Sequence, residues 1–445
     1  MLYRYINIRY IGLFVVILVM IGGFWLFGSA FDIGKPEIRI SQDVSMIGRQ
    51  KVIEVAFSDS GSSLRDTLIT ISQGDKTYTL YAVNYPKKGT RDKTISVTID
   101  PLSIKMQDGP ATLNIKAVDY SLFKNQMLLS KPLTIDLQPP QIYLLNPQNI
   151  INPGGTCVTL YRTSKPVVMS GIQVDDRFLS AHLTTISVKS FYIAYFSLPI
   201  EASQGSTRIK VVAQDQAGNE SAVALPHLIK NRKLRTDKIN LSDQFLQQKM
   251  PEFQTADIGL RGKTLVETFI YVNTVMRQDN LKTIQSLTRK SEARQLWTDT
   301  FLRMKNAAPK ALFGEKRIWL YDGKAIGESL HEGVDLASLE HAPIEAANNG
   351  LVVFAGPLGI YGNTVIIDHG FSLFTLYGHL STINVKAGQA VRKQEVMGNS
   401  GMSGLAGGDH LHFSILVGGQ FVNPLEWWDA HWIADNVTKK IAMAN

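Results

Sequence analysis

Near the end of the chain Gly408, Asp409, His410, Leu411, His412 and Phe413 stand in a row. On an extended segment side chains two apart share a face, so His410 and His412 point together while Leu411 and Phe413 turn to a core. Imidazole is the commonest protein ligand for zinc, but a catalytic zinc takes three protein ligands and keeps one open position. Further donors are offered upstream by His331, Glu332, Gly333, Val334 and Asp335. A helical His-Glu-x-x-His reading would put Asp335 in the place of the last histidine and make Glu332 the general base. Gly333 and β-branched Val334 are poor helix residues, which argues against it. On an extended or looped segment His331 and Asp335 still converge on one metal. With one nitrogen from the later pair they give two imidazoles, a carboxylate and an open position, a set suited to zinc-assisted hydrolysis.

The elements that must position these groups lie between them. Seven of the nine histidines fall beyond residue 330, in a glycine-rich stretch of short alternating runs from Glu315 to about Asp429. Thr364 to Ile367 and Phe371 to Tyr377 flank Asp368, His369 and Gly370 as a hairpin. This pattern predicts a compact antiparallel β domain over residues 314–430, with residues 431–445 as a tail. Trp427 and Trp428, after Pro424, are expected to pack its end. His369 is expected to be structural, and His341 and His431 to be surface or packing residues.

In this stretch the sequence resembles the lysostaphin and LytM type of zinc endopeptidase, in four ordered blocks between about Leu330 and Pro424. These are His331-x-Gly333-x-Asp335; Gly362 and Asn363 before Val365 to Gly370; Tyr377, Gly378, His379, Leu380, Ser381; and Ser403, Gly404 leading to His410, Leu411, His412, Phe413. Gln394 and Gly407 depart from the usual pattern without removing a functional side chain. The resemblance implies one zinc ion per catalytic domain, held by His331, Asp335 and His412, with His379 and His410 as catalytic imidazoles beside the open position. Asn363 either orients substrate or caps a turn. The implied activity is hydrolysis of peptide crosslinks in peptidoglycan. Two rival expectations are a catalytically silent LytM-like regulator of a separate cell-wall amidase, and an envelope scaffold or adhesin that works through its upstream domains.

Those upstream domains read differently. Residues 34–137 and 138–229 each consist of short alternating runs broken by Gly, Pro, Asn and Asp, and predict two β-sandwich domains, with the turn Asp215, Gln216, Ala217, Gly218, Asn219 in the second resembling that of bacterial Ig-like extracellular domains. Residues 230–313 read as a helical linker domain, with Leu265, Phe269, Val272 and Met276 on one face and the pattern continuing through Trp297 and Phe301 to about Lys310. The fold class expected is mainly β and multidomain.

At the amino terminus Arg4 and Arg9 precede an uncharged stretch from Tyr10 to Phe31, almost continuously apolar over residues 11–27. Residues 1–33 are therefore expected to form a cytoplasmic stub and a transmembrane helix in the inner membrane, with the remainder periplasmic. A cleaved signal peptide ending near Gly28, Ser29 and Ala30 is the alternative.

Composition adds exclusions. With 44% hydrophobic and 19% charged residues among 445, the chain is not a disordered one. The net charge of +8 suits anionic envelope polymers, and without a basic cluster or nucleic-acid motif no nucleic-acid partner is expected. Cys157 is the single cysteine, so no disulfide can form within the chain.

Overall fold

The computed structural model describes residues 8–146, 148–186, 189–231 and 233–443. The architecture is mainly β with few helices. The chain divides into two compact units, one holding residues up to Pro140 with Pro166–Val168 and Gln214–Glu220, the other the remainder.

In the first unit strands Glu37–Ile40, Lys51–Ser58 and Asp92–Ile99 form one sheet. Met46–Ile47, Gln126–Ile135, Gly109–Asp119, Leu64–Gln73 and Lys76–Asn84 form a second. Alternate residues face inward, so Ile53, Val55 and Phe57 of the first sheet meet Ile69, Ile71, Leu113 and Ile115 of the second in one core. A helix spans Ile8–Phe27, and its side chains from Leu13 to Ile21 are exposed. Among the described residues no helix is long and apolar enough to cross a membrane. The transmembrane helix expected at residues 11–27 therefore gains no support from the structure, and the side chains at 11 and 24–27 lie outside the described ones.

The second unit opens with a sheet ordered His182–Ile186, Lys189–Ser197, Thr156–Thr163, Ile142–Leu144, and a second ordered Arg177–Ser180, Met169–Val174, Ile209–Gln214, Glu220–Ala224. Three helices follow, Asp243–Ala256, Leu265–Tyr271 and Arg277–Leu287, the last two joined through a wider turn at Val272–Met276. Their starts carry the sequence's capping signals: the Ser242 hydroxyl accepts from the Phe245 N–H, and Thr264 and Glu267 make a reciprocal capping box. The expected continuation through Trp297 and Phe301 to about Lys310 does not form. Residues 289–307 are irregular, because their backbone groups are satisfied by the neighbouring sheet domain. Leu296 N donates to the His369 carbonyl at 2.9 Å, Leu302 N to Ala347 at 2.9 Å and Phe301 N to Trp427 at 3.0 Å. The spacing of Trp297 and Phe301 mimics a helix; both rings pack edgewise on Trp427.

The last sheet has eight strands. Its main order is Ala308–Ala311, Val334–Ala337, Leu411–Val417, Leu373–Leu380, Asn363–Asp368, Gly350–Pro357, Ala390–Val391, with Gln420–Val422 paired to Leu411–Val417. The hairpin about Asp368–Gly370 forms, antiparallel between Asn363–Asp368 and Leu373–Leu380. Every residue of Leu373–Leu380 and Leu411–Val417 is buried, so both faces of this sheet are covered. One face, with Ile366, Phe374, Leu376 and Leu416, packs on Leu246, Met250, Phe253 and Phe269 of the helices. The other, with Leu373, Tyr377, Phe413 and Ile415, shares a core with Trp297, Phe301, Trp427 and the sandwich residues Leu160, Ile193 and Tyr195. Residues 431–443, expected as a tail, are largely helical: Ile433 and Val437 enter that core, and the buried Lys440 ammonium donates to Asn149 Oδ1 and the Val158 carbonyl, both at 2.9 Å.

Candidate metal centre

Asp335 and His412 are register partners on adjacent antiparallel strands, which sets their side chains side by side. The His412 Nδ1 lies 2.8 Å from Asp335 Oδ1. His331 lies in the loop after strand Lys324–Leu330, not on a helix, and reaches the same oxygen: its Nε2 is 3.0 Å from Asp335 Oδ1 and 3.2 Å from His412 Nδ1. One donor atom from each of the three falls within 4.8 Å of the others, and all three residues are buried.

The other nitrogen of each imidazole is tied back. His331 Nδ1 donates to the Leu312 carbonyl at 3.0 Å, and His412 Nε2 is 2.9 Å from the Ser414 hydroxyl. These bonds fix ring orientation and leave His331 Nε2 and His412 Nδ1 facing each other. Gly333 is needed here, since a Cβ at that position would come within 2.6 Å of both His412 Nε2 and Ser414 Oγ. Burial pushes the His412 imidazole down to about 4 against the pull of Asp335, so it is neutral at physiological pH. Burial raises the Asp335 carboxyl, but His331 beside it and the hydrogen bonds from the histidines outweigh that and hold it well below its usual value. Two imidazole nitrogens and one carboxylate oxygen, oriented before any ion arrives, fit zinc.

His379 and His410 stand beside this trio, with ring centroids 4.8 Å apart. Each donates its Nδ1 proton to a carbonyl, His379 to Ser403 at 2.9 Å and His410 to Gly408 at 2.8 Å. That leaves each Nε2 available, and His410 Nε2 is 3.6 Å from Asp335 Oδ1. The His379 backbone holds φ +64°, uncommon for a residue with a side chain. Burial, and then the neighbouring His410, lowers the His379 pKa well below the usual imidazole value. His410 feels the same burial as the largest effect, but the Asp335 carboxylate nearby and the Gly408 carbonyl together outweigh it and the net shift is upward.

Asn363 is not among the side chains lining the groove: its amide donates to the Leu380 carbonyl at 3.1 Å and its N–H to Ser403 Oγ at 2.9 Å. His369 is fully buried, bridging the Asn349 carbonyl and Thr375 Oγ. Trp427 is fully buried, its indole N–H on Thr156 Oγ1 at 3.2 Å.

The histidines open into a groove of about 320 Å³ whose other wall comes from the preceding segments, including Phe245 of the first helix, Arg277 and Trp319. Sequence reasoning missed two arginines here. Arg317 donates to Asp335 Oδ2 at 3.1 Å. Arg277 lies close enough to act electrostatically on Glu332, whose carboxyl burial raises and which accepts from Tyr361 Oη at 3.2 Å. Both lie outside the recognisable motif blocks, so their only sequence signal was a basic residue on a segment with no assigned chemistry.

Residues 329–424 match the profile described as Peptidase family M23. Over 96 residues the chain is 42% identical to the DD-carboxypeptidase/endopeptidase Mpg of Neisseria meningitidis serogroup B, covering 22% of each protein. Over 115 residues it is 35% identical to the murein hydrolase activator NlpD of Salmonella dublin, covering 24% of this chain and 30% of that one. The chain thus spans from about a fifth to under a third of these relatives' length. Among solved structures, the catalytic domain of the antimicrobial peptidase lysostaphin from Staphylococcus simulans aligns at 26% identity and TM-score 0.25, over 29% of this chain and 98% of that one. The carboxy-terminal sheet with its histidines and Asp335 is a Peptidase family M23 domain, residues 329–424.

Proposed function

We propose that the protein is a zinc-dependent endopeptidase that hydrolyses peptide crosslinks of peptidoglycan outside the cytoplasm. The observation that carries this reading is the convergence of His331 Nε2, His412 Nδ1 and Asp335 Oδ1 beside two further imidazoles whose Nδ1 atoms are tied to carbonyls. His331, Asp335 and His412 hold the ion. Bound there, zinc supplies Lewis acidity toward a carbonyl oxygen and acidifies water. His379 and His410 handle the protons: one Nε2 accepts from the attacking water, while the other donates to the developing oxyanion or the leaving amine. The groove orients an extended peptide between these imidazoles and the Phe245 wall, and its apolar side limits water around the reacting bond.

The names of the M23 relatives support peptidoglycan as substrate, and the net charge of +8 supports retention near anionic polymers. The exposed apolar side chains from Leu13 to Ile21 support a lipid-facing amino-terminal helix that keeps the enzyme at the inner membrane. A silent regulator would not need the complete donor set, nor both free imidazoles.

The test is mass spectrometry of muropeptides released from purified cell walls by the zinc-loaded protein. Cleaved crosslinks are expected from the wild type and none from His331→Ala. Equal release by both, or none by the zinc-loaded wild type, would overturn the enzyme reading.

A further inference from the structure

In the first unit, far from any motif named so far in the chain, Asp32, Asp59 and Asp119 each bring a carboxylate oxygen within 4.8 Å of the other two. They come from three separate places: Asp32 precedes the first strand, Asp59 follows strand Lys51–Ser58, and Asp119 ends strand Gly109–Asp119. Asp59 and Asp119 are 5% and 0% exposed. Three like charges gathered at low exposure repel one another, and among the described residues no lysine or arginine forms an ion pair with any of them.

Local turn chemistry explains only part of this arrangement. Asp59 Oδ1 accepts the N–H groups of Gly61 and Ser62 at 2.9 Å and of Ser63 at 3.1 Å, an Asx-type turn. Its second oxygen, Oδ2, is buried without a hydrogen-bond partner, and so is the hydroxyl of Ser62, itself 0% exposed. A buried carboxylate oxygen left unpaired is costly unless something else satisfies it. Asp119 is oriented by Ser121 and by Asn125, whose Nδ2 lies 2.8 Å from Asp119 Oδ2 and 2.8 Å from the Asp32 carbonyl. Asp32 Oδ1 accepts from Gly34 N at 2.9 Å, and its other oxygen lies against Gly61, where any side chain would collide with it.

We propose that these three carboxylates bind a calcium ion. The donors are all hard oxygens, with no imidazole or thiolate among them, which selects against zinc and its neighbours. Three carboxylates, two on irregular segments and one at a strand end, with the Ser62 hydroxyl and water to complete six to eight oxygens, suit calcium's flexible shell better than the strict octahedron of magnesium, which keeps most of its water. The unpaired Asp59 Oδ2 becomes a ligand, and the mutual repulsion of the three charges is what the cation relieves. Asp32 belongs to the segment between helix Ile8–Phe27 and the first strand, so the ion ties that segment to the loops after Ser58 and Asp119. Calcium therefore stiffens the entry into the first sandwich.

The test is equilibrium dialysis of the detergent-solubilised full chain against radioactive calcium, paired with thermal unfolding. The expectation is one calcium ion per chain, held at roughly 0.1–1 mM as in extracellular modules, with a higher unfolding midpoint. Asp59→Asn and Asp119→Asn should lose the ion while keeping the carbonyl-type acceptor that orders each turn. Asp32→Asn lies outside the strands and decides the matter if the other two variants fail to fold. No uptake by the wild type in ~10 mM calcium, well above that range, or undiminished uptake by every folded variant, would overturn the proposal. Magnesium binding of equal strength would overturn the assignment to calcium.

Discussion

Arg317 grips one oxygen of Asp335, Oδ2 at 3.1 Å, while the other oxygen faces His331 and His412. The guanidinium thereby decides which oxygen is offered to a metal. Because Arg317 stands on strand Lys316–Tyr321, outside the matched residues 329–424, an M23 domain here draws support from the segment before it. Arg317→Ala should weaken zinc affinity by about 10- to 100-fold, the usual effect of losing a partner that orients a ligand. Arg317→Lys should recover part of it. Competition against a chromophoric chelator measures this directly, and unchanged affinity in Arg317→Ala would show the contact to be incidental.

The histidines His410 and His412, two residues apart, should respond differently to the same change. His412→Ala removes a donor 2.8 Å from Asp335 Oδ1 and should release zinc. In His410→Ala the trio of His331, Asp335 and His412 is intact, so zinc content should stay near one per chain while turnover falls by about 100-fold or more. Zinc analysis beside wall digestion separates the two. Loss of zinc in both variants would make His410 a ligand.

A chain beginning at Lys310 should not behave as an independent catalytic domain. It would strip the helices from Ile366, Phe374, Leu376 and Leu416 on one sheet face, and Leu160, Ile193 and Tyr195 from the other. Exposing two such faces favours aggregation. Circular dichroism and thermal unfolding should show no cooperative transition for it. A soluble, cooperatively folding product would mean that these contacts are dispensable.

His369 gives a pH signature independent of metal. Burial lowers its pKa to about 4 in the folded protein, against 6.5 when exposed. The unfolded chain therefore binds the proton first as pH falls. Stability from the neutral ring is fully present above about 6.5, is lost progressively down to about 4, and changes no further below that. The full loss is about 3 kcal/mol at 1.36 kcal/mol per unit. His369→Gln, which cannot titrate, should flatten that part of the stability curve. Denaturant melts of wild type and variant between pH 4 and 7 check it, and parallel curves would count against the assignment.

Spacing made His331, Asp335 and one member of the His410/His412 pair legible as converging groups, while the choice of His412 came from the four-block resemblance; the strand register sets His412 beside Asp335. The β character and the hairpin at Asp368–Gly370 were legible for the same reason. Arg317, Arg277 and Phe245 were not, because they reach the groove only through tertiary packing and carry no periodic signal. Trp297 and Phe301 misled for a physical reason. Their spacing matches a helix, yet their segment takes its hydrogen bonds from another domain's backbone. The aspartate cluster was invisible because its members are separated by long stretches of chain and meet only when two sheets close.

The doubly covered sheet has a consequence for engineering. The boundaries of sequence similarity, residues 329 and 424, cut through two hydrophobic cores instead of around them. Grafting that span onto another protein would transfer His331, Asp335, His379, His410 and His412 while leaving behind the arginine that aims Asp335 and the wall that shapes the groove. The transferable piece is the whole second unit: here the metal site and its scaffold are a single part.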